Sequence, residues 1–206
     1  MTVTPKLIFL PGAGADPDFW RPVGERLPAS WGKVYLGWPG LGHQPSHPDV
    51  NGLEDLLGLV EAQMGEGPVD LLAQSMGGLV AMLTALRHPR KVRRLVLSVT
   101  SAGLDMKQLG AADWQATYHR NHPNAARWLS DVHVDLSAQL PGIALPVLLL
   151  WGDADPISPV TVGERLADLL PNARLHVLPG GDHDLVHQRA AEVAPLIAAH
   201  LGRADD

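Results

Sequence analysis

Six short apolar runs punctuate the chain: Leu7–Leu10, Val34–Trp38, Val69–Ala73, Leu95–Val99, Val147–Trp151 and Leu175–Leu178. Each has the length and mainly apolar character of a buried strand. Between most of them, apolar residues recur at helical spacing. Leu53, Leu56, Leu57 and Val60 form one such set, and Leu79, Val80, Leu83 and Leu86 a second. Val162, Leu166 and Leu169 form a third, and Val193, Leu196, Ile197 and Leu201 a fourth. Strands alternating with helices predict parallel βαβ units. The expected α/β fold is a three-layer α/β/α sandwich, its mostly parallel sheet of about six strands covered by helices on both faces. Ligands of such sheets bind beyond the carboxyl ends of the strands, so chemistry is expected in the loops that follow the apolar runs.

One segment departs from this rhythm. From 101 to 143 no strand pattern occurs, and Trp114, Tyr118 and Trp128 stand among His119, Arg120, His122 and Arg127. It reads as a short helical lid inserted into a single domain spanning 1–206; an ordinary long crossover is the alternative. Trp20, Trp114, Tyr118 and Trp128 are the expected apolar wall of a substrate pocket, with Arg120 or Arg127 available to meet a carboxylate. A lid of this length implies a modest pocket.

Composition narrows the choices. A chain of 206 residues with 46% hydrophobic and 18% charged residues can build one core, which excludes a disordered protein. A net charge of −6 leaves no basic footprint for nucleic acid. The absence of cysteine excludes a disulfide frame, a thiolate nucleophile and a Cys-ligated metal. The run Leu7–Leu10, ended by Pro11, is too short for a signal segment or membrane span, so a soluble cytoplasmic protein is expected. His43 and His47 share no helical face beside Pro45 and Pro48 and have no evident third ligand. Neither a metal nor a cofactor is therefore expected.

Four motifs could carry chemistry. In Val69-Asp-Leu-Leu-Ala-Gln-Ser75-Met-Gly-Gly-Leu-Val80, a buried strand runs into a serine and a helix begins directly after it. Small residues at Ala73 and Gly77 allow the sharp turn that lifts a serine Oγ clear of the sheet, with the helix N-terminus aimed at developing negative charge. A serine N-cap beside packing glycines is the plainer reading. The turn Pro11-Gly-Ala-Gly14 follows the first strand; Pro17 stands where a dinucleotide loop needs its third glycine, and no Gly-Lys-Ser/Thr follows. Such a turn can instead give a backbone N–H to an oxyanion, with Ala13 and Met76 as the two donors. In Trp151-Gly-Asp-Ala-Asp155, either Asp153 or Asp155 could hold a histidine Nδ1–H, or both could only shape the turn. In Leu178-Pro-Gly-Gly-Asp-His183, a histidine sits in a glycine-rich loop ahead of the last helix, suited to a general base.

The order Ser75, acid, His183, each just after a strand, resembles the α/β-hydrolase superfamily, and nearly the whole chain takes part. Trp38-Pro-Gly-Leu-Gly42-His resembles that family's Pro-Gly-x-Gly stretch. The family's acid maps onto Asp155, three residues after Gly152, and its base onto the Gly-x-His loop at His183. The resemblance implies a Ser75–His183–Asp155 triad with an oxyanion hole at Ala13 and Met76. There are departures: Ala73 replaces the first glycine of Gly-x-Ser-x-Gly, Pro11-Gly12 replaces the usual His-Gly, and the sequence begins at what would be the third strand. The overall pattern is similar to carboxylesterases with short lids, the pimeloyl-carrier methyl esterase type among them. The implied activity is hydrolysis of a small to medium ester or thioester by a monomer or weak homodimer. The same triad also serves carbon–carbon bond hydrolases, lactonases and a pyruvate-eliminating synthase, and some proteins of this fold are ligand receptors or regulators.

Overall fold

The strands β1 (Lys6–Leu10), β2 (Gly32–Tyr35), β3 (Val69–Gln74), β4 (Val92–Ser98), β5 (Val147–Gly152) and β6 (Ala173–Leu178) fall on or beside the six apolar runs. In the computed structural model, which describes residues 6–203, they pair in the order β2-β1-β3-β4-β5-β6, every pairing parallel. Every residue of β3 and β5 is buried, as strands covered on both faces require. The edge strands depart from the expected burial. β2 occupies Gly32–Tyr35 and has no buried residue, and β6 has only Leu178 buried, with Val177 40% exposed. Each has a neighbour on one side only, so its outer flank stays open to water.

The helices are α1 (Arg21–Gly24), α2 (Leu53–Met64), α3 (Met76–Arg87), α4 (Gln115–Asn121), α5 (Val160–Leu169), α6 (Leu185–Gln188) and α7 (Ala190–Leu201). With right-handed crossovers, the step from β1 to β2 puts α1 on one face of the sheet, where it meets α6 and α7. The steps in the opposite direction put α2, α3 and α5 on the other face, where α2 packs on α3. Because α3 lies against β1, β3, β4 and α2, its residues from Gly77 to Met82 are all buried. The chain leaves β1 toward one edge and leaves β3 toward the other. The gap between their carboxyl ends is therefore the point at which ligands bind in sheets of this type.

Between β4 and β5 the chain forms one seven-residue helix, α4, and three short 3₁₀ turns at Lys107–Leu109, Arg127–Asp131 and Leu140–Gly142. Pro123, two residues past α4, and Gly110, left-handed just after the first 3₁₀ turn, stop longer helices here. Among the described residues no helix is long and apolar enough to cross a membrane.

At the opposite end of the sheet, His200 on α7 is 6% exposed, and its Nε2–H donates to the Leu95 carbonyl at 3.0 Å. Burial, and then the nearby guanidinium groups of Arg94, Arg203 and Arg174, pull its pKa from 6.5 down to about 4, the Leu95 bond opposing them. The native protein thus holds His200 neutral where the unfolded chain would already take a proton. Its contribution to stability is whole above about pH 7 and drains away as the pH falls from 6.5 toward 4. Denaturant melts of wild type and His200→Gln at pH 7 and pH 4 should show the stability difference moving by about 2–3 kcal/mol toward the variant. A pH-independent difference would mean that His200 does not titrate in this way.

Candidate active site

Ser75 stands between the last residue of β3 and the first of α3, with φ 52° and ψ −123°. For a residue with a Cβ this region costs about 1–3 kcal/mol and persists only where the surroundings enforce it. Here the enforcing contacts are close. A Cβ on Gly77 would lie 2.7 Å from the Leu10 carbonyl oxygen and still nearer that of Pro11. A Cβ on Gly12 would run into the Gln74 side-chain oxygen and lie 3.0 Å from Ser75 Cβ. The strand-to-helix turn and the turn after β1 can approach this closely only where side chains are missing.

The turn aims Ser75 Oγ at His183, whose Nε2 lies 2.9 Å away. On the other side of the ring, Nδ1 is 2.7 Å from Asp155 Oδ2. With Nδ1–H donated to the carboxylate, Nε2 is the acceptor and Ser75 O–H the donor. The Asp155 side chain is fully buried, and its second oxygen accepts the Ile157 N–H at 2.8 Å, which fixes the carboxylate plane. Asp153 is exposed and accepts the Gly180 N–H, tying the β5 loop to the β6 loop. Of the two carboxylates left open by the sequence, only Asp155 meets the imidazole.

The turn after β1 is held through its carbonyls. Trp20 Nε1 donates to Leu10 O at 3.1 Å, Trp38 Nε1 to Pro11 O at 2.8 Å and Ala15 N–H to Gly12 O at 3.0 Å. The Tyr118 hydroxyl donates to Ala13 O at 2.9 Å. The N–H groups of Ala13 and Met76 donate to no group among the described residues.

A cavity of about 1380 Å³ opens over Ser75 and His183. That is larger than the modest pocket expected and more than a short acyl group needs. Trp114 and Tyr118 line it, whereas Trp20, Trp128, Arg120 and Arg127 do not. Trp20 is 1% exposed because its indole packs on Phe9 and braces β1; its neighbour Phe19 reaches the cavity instead. Arg120 and Arg127 are exposed, and Arg120 bonds only to Thr117 on its own helix. The charged wall is acidic: Asp16, Asp105, Asp113, Asp135 and Asp184 against Lys107. His43 packs edge-on against His122, and His47 lies beside Asp49.

Two contributors were not legible as functional. Gln74, 4% exposed, donates from Nε2 to the His183 carbonyl at 3.0 Å and so joins the nucleophile strand to the base loop. Trp38 read as the end of a strand and the start of the Pro-Gly-x-Gly stretch, with no role of its own, yet β2 ends at Tyr35 and the Trp38 indole N–H holds the turn after β1. A polar residue closing the apolar stretch Leu71–Ala73 just before the serine was the available signal for Gln74.

Residues 5–127 and 105–190 match the family model for the alpha/beta hydrolase fold. The chain is 30% identical to a pimeloyl-[acyl-carrier protein] methyl ester esterase of Neisseria meningitidis serogroup B, across 86% of this chain and 85% of that protein. It is 28% identical to the polyketide synthase ThaQ of Burkholderia thailandensis across 93% of this chain, but spans only 12% of that much longer protein. In structure it is similar to an esterase from Thermogutta terrifontis, with a TM-score of 0.77, 22% identity, and coverage of 96% of this chain and 89% of that one.

Gly77→Ala forces a Cβ onto two carbonyl oxygens and should lower stability by about 2 kcal/mol or more. Thermal unfolding followed by circular dichroism checks this, and an unchanged midpoint would contradict the close approach of the two turns.

Proposed function

The chain belongs to the α/β-hydrolase fold family, and from that premise we propose that it is a serine esterase cleaving a carboxylic ester through an acyl-enzyme on Ser75. The observation that carries this reading is the unbroken chain of contacts from buried Asp155 through His183 to Ser75, at 2.7 and 2.9 Å. The esterase relative lends support at the level of reaction type.

In the proposed mechanism, His183 Nε2 takes the Ser75 proton as Oγ attacks the ester carbonyl. Negative charge collects on the former carbonyl oxygen, where the N–H groups of Ala13 and Met76 and the N-terminal end of α3 meet it. Asp155 steadies the imidazolium that forms. That imidazolium then protonates the departing alkoxide, which leaves as the alcohol. Water, deprotonated by His183, attacks the acyl-enzyme; the second tetrahedral intermediate collapses to the acid, and the proton returns to Ser75 Oγ.

The acidic wall bears on substrate choice. Five carboxylates facing one ammonium make the cavity unfavourable for an acyl chain ending in a carboxylate, and no guanidinium lines it. Neutral esters are therefore the class proposed, and the cavity volume allows acyl groups beyond the short range.

Hydrolysis of a panel of p-nitrophenyl esters tests the proposal. Ser75→Ala and His183→Ala should each lower kcat by about 10⁶, and Asp155→Asn by about 10⁴. Neutral esters should be cleaved faster than esters of equal length that end in a carboxylate. Wild-type turnover surviving in Ser75→Ala would reject the assignment.

A further inference from the structure

Of the side chains that hold the turn after β1, Trp20 and Trp38 belong to the sheet region, and only Tyr118 comes from the segment between β4 and β5. Tyr118 lies on α4 and is the one buried residue of that helix. Its hydroxyl makes two bonds at once. It donates to the Ala13 carbonyl at 2.9 Å and accepts the Gly42 N–H at 2.9 Å. The ring is held by Trp114, His119 and His122, with centroids 5.6, 5.3 and 4.8 Å away. Burial raises its pKa, so the hydroxyl keeps the proton it donates. A second bond, Ala126 N–H to the Gly40 carbonyl at 2.7 Å, fastens the same segment to the loop after β2.

Ala13 is the residue whose N–H is available to the oxyanion; the plane carrying that N–H is held by Ala15 N–H on the Gly12 carbonyl, and the Tyr118 bond holds the next plane at the Ala13 carbonyl, so the two together limit rotation at Ala13. We propose that Tyr118 is a positioning residue: seating α4 over the cavity sets the oxyanion donor at Ala13, so the segment between β4 and β5 completes the catalytic site as well as covering it. This inference rests on the esterase reading above. It goes beyond it in making donor geometry depend on a residue that does not touch the reacting atoms.

The test is Tyr118→Phe, which keeps the ring packing and removes only the hydroxyl. For a neutral p-nitrophenyl ester, kcat should fall about tenfold or more while KM stays within about threefold. The inhibition constant of a trifluoromethyl ketone, whose adduct on Ser75 carries an oxyanion, should rise by the same factor as kcat/KM falls. Amide hydrogen exchange should quicken in residues 11–15 and remain unchanged in β3 and β5, which reports that the fold is intact. In the wild-type protein, the ketone should slow exchange in α4 as well as in residues 11–15, because coupling between the two is reciprocal. Unchanged kcat and ketone affinity would overturn the proposal, as would a raised KM at constant kcat, which would make Tyr118 a substrate contact. If the wild type cleaves no ester, the esterase reading fails by itself, and exchange in residues 11–15 decides the positioning role: faster in the variant upholds it, unchanged overturns it.

Discussion

Everything at the catalytic end of the sheet depends on how closely two backbone turns approach each other. Ser75 holds a backbone conformation at φ 52° that a side chain ordinarily avoids. It can do so because α3 begins hard against the carbonyls of Leu10 and Pro11, with no Cβ at Gly77 or Gly12 to keep them apart. This contact holds the turn from which Ser75 Oγ meets His183 Nε2 at 2.9 Å. The proposed nucleophile and oxyanion donors all belong to these two turns, at the point where the chain's path through the sheet reverses.

The polar groups around that point are arranged so that little can move. Asp155 is buried and uses both oxygens, one on the imidazole and one on the Ile157 N–H. Gln74 joins the end of β3 to the His183 loop, and three aromatic side chains pin the turn after β1. Strain stored at Ser75 is thus offset by hydrogen bonds and packing from every side, the pattern expected where geometry must be fixed before the reaction begins.

Much of this was legible in the sequence because the signals were local. Four buried or nearly buried strands announced themselves as mainly apolar runs; Ser75 and Asp155 follow two of them, and His183 follows the run of the edge strand β6. The edge strands read as buried because an apolar run does not reveal how many neighbours a strand will have; Val34 and Val177 look alike whether the next layer covers them or not. Trp20 and Trp38 misled for a related reason. Composition marks an indole as apolar wall or core, while its N–H partner, a carbonyl of β1 or the turn after it, is fixed only by long-range packing. Arg120 and Arg127 carried suitable chemistry but stand on the solvent side of their segment, a choice that short, irregular helices without apolar periodicity leave unmarked. The two hydrogen bonds of the Tyr118 hydroxyl span 76 and 105 residues of chain and lie beyond any local pattern.

The central claim is that Ser75 is an activated nucleophile made so by His183. Incubation with a fluorophosphonate, followed by proteolysis and mass spectrometry, examines it directly. The account predicts one adduct, on the peptide containing Ser75, formed in the wild type and lost or greatly slowed in His183→Ala. An adduct on another serine, or labelling of Ser75 that proceeds equally well without the imidazole, would contradict it.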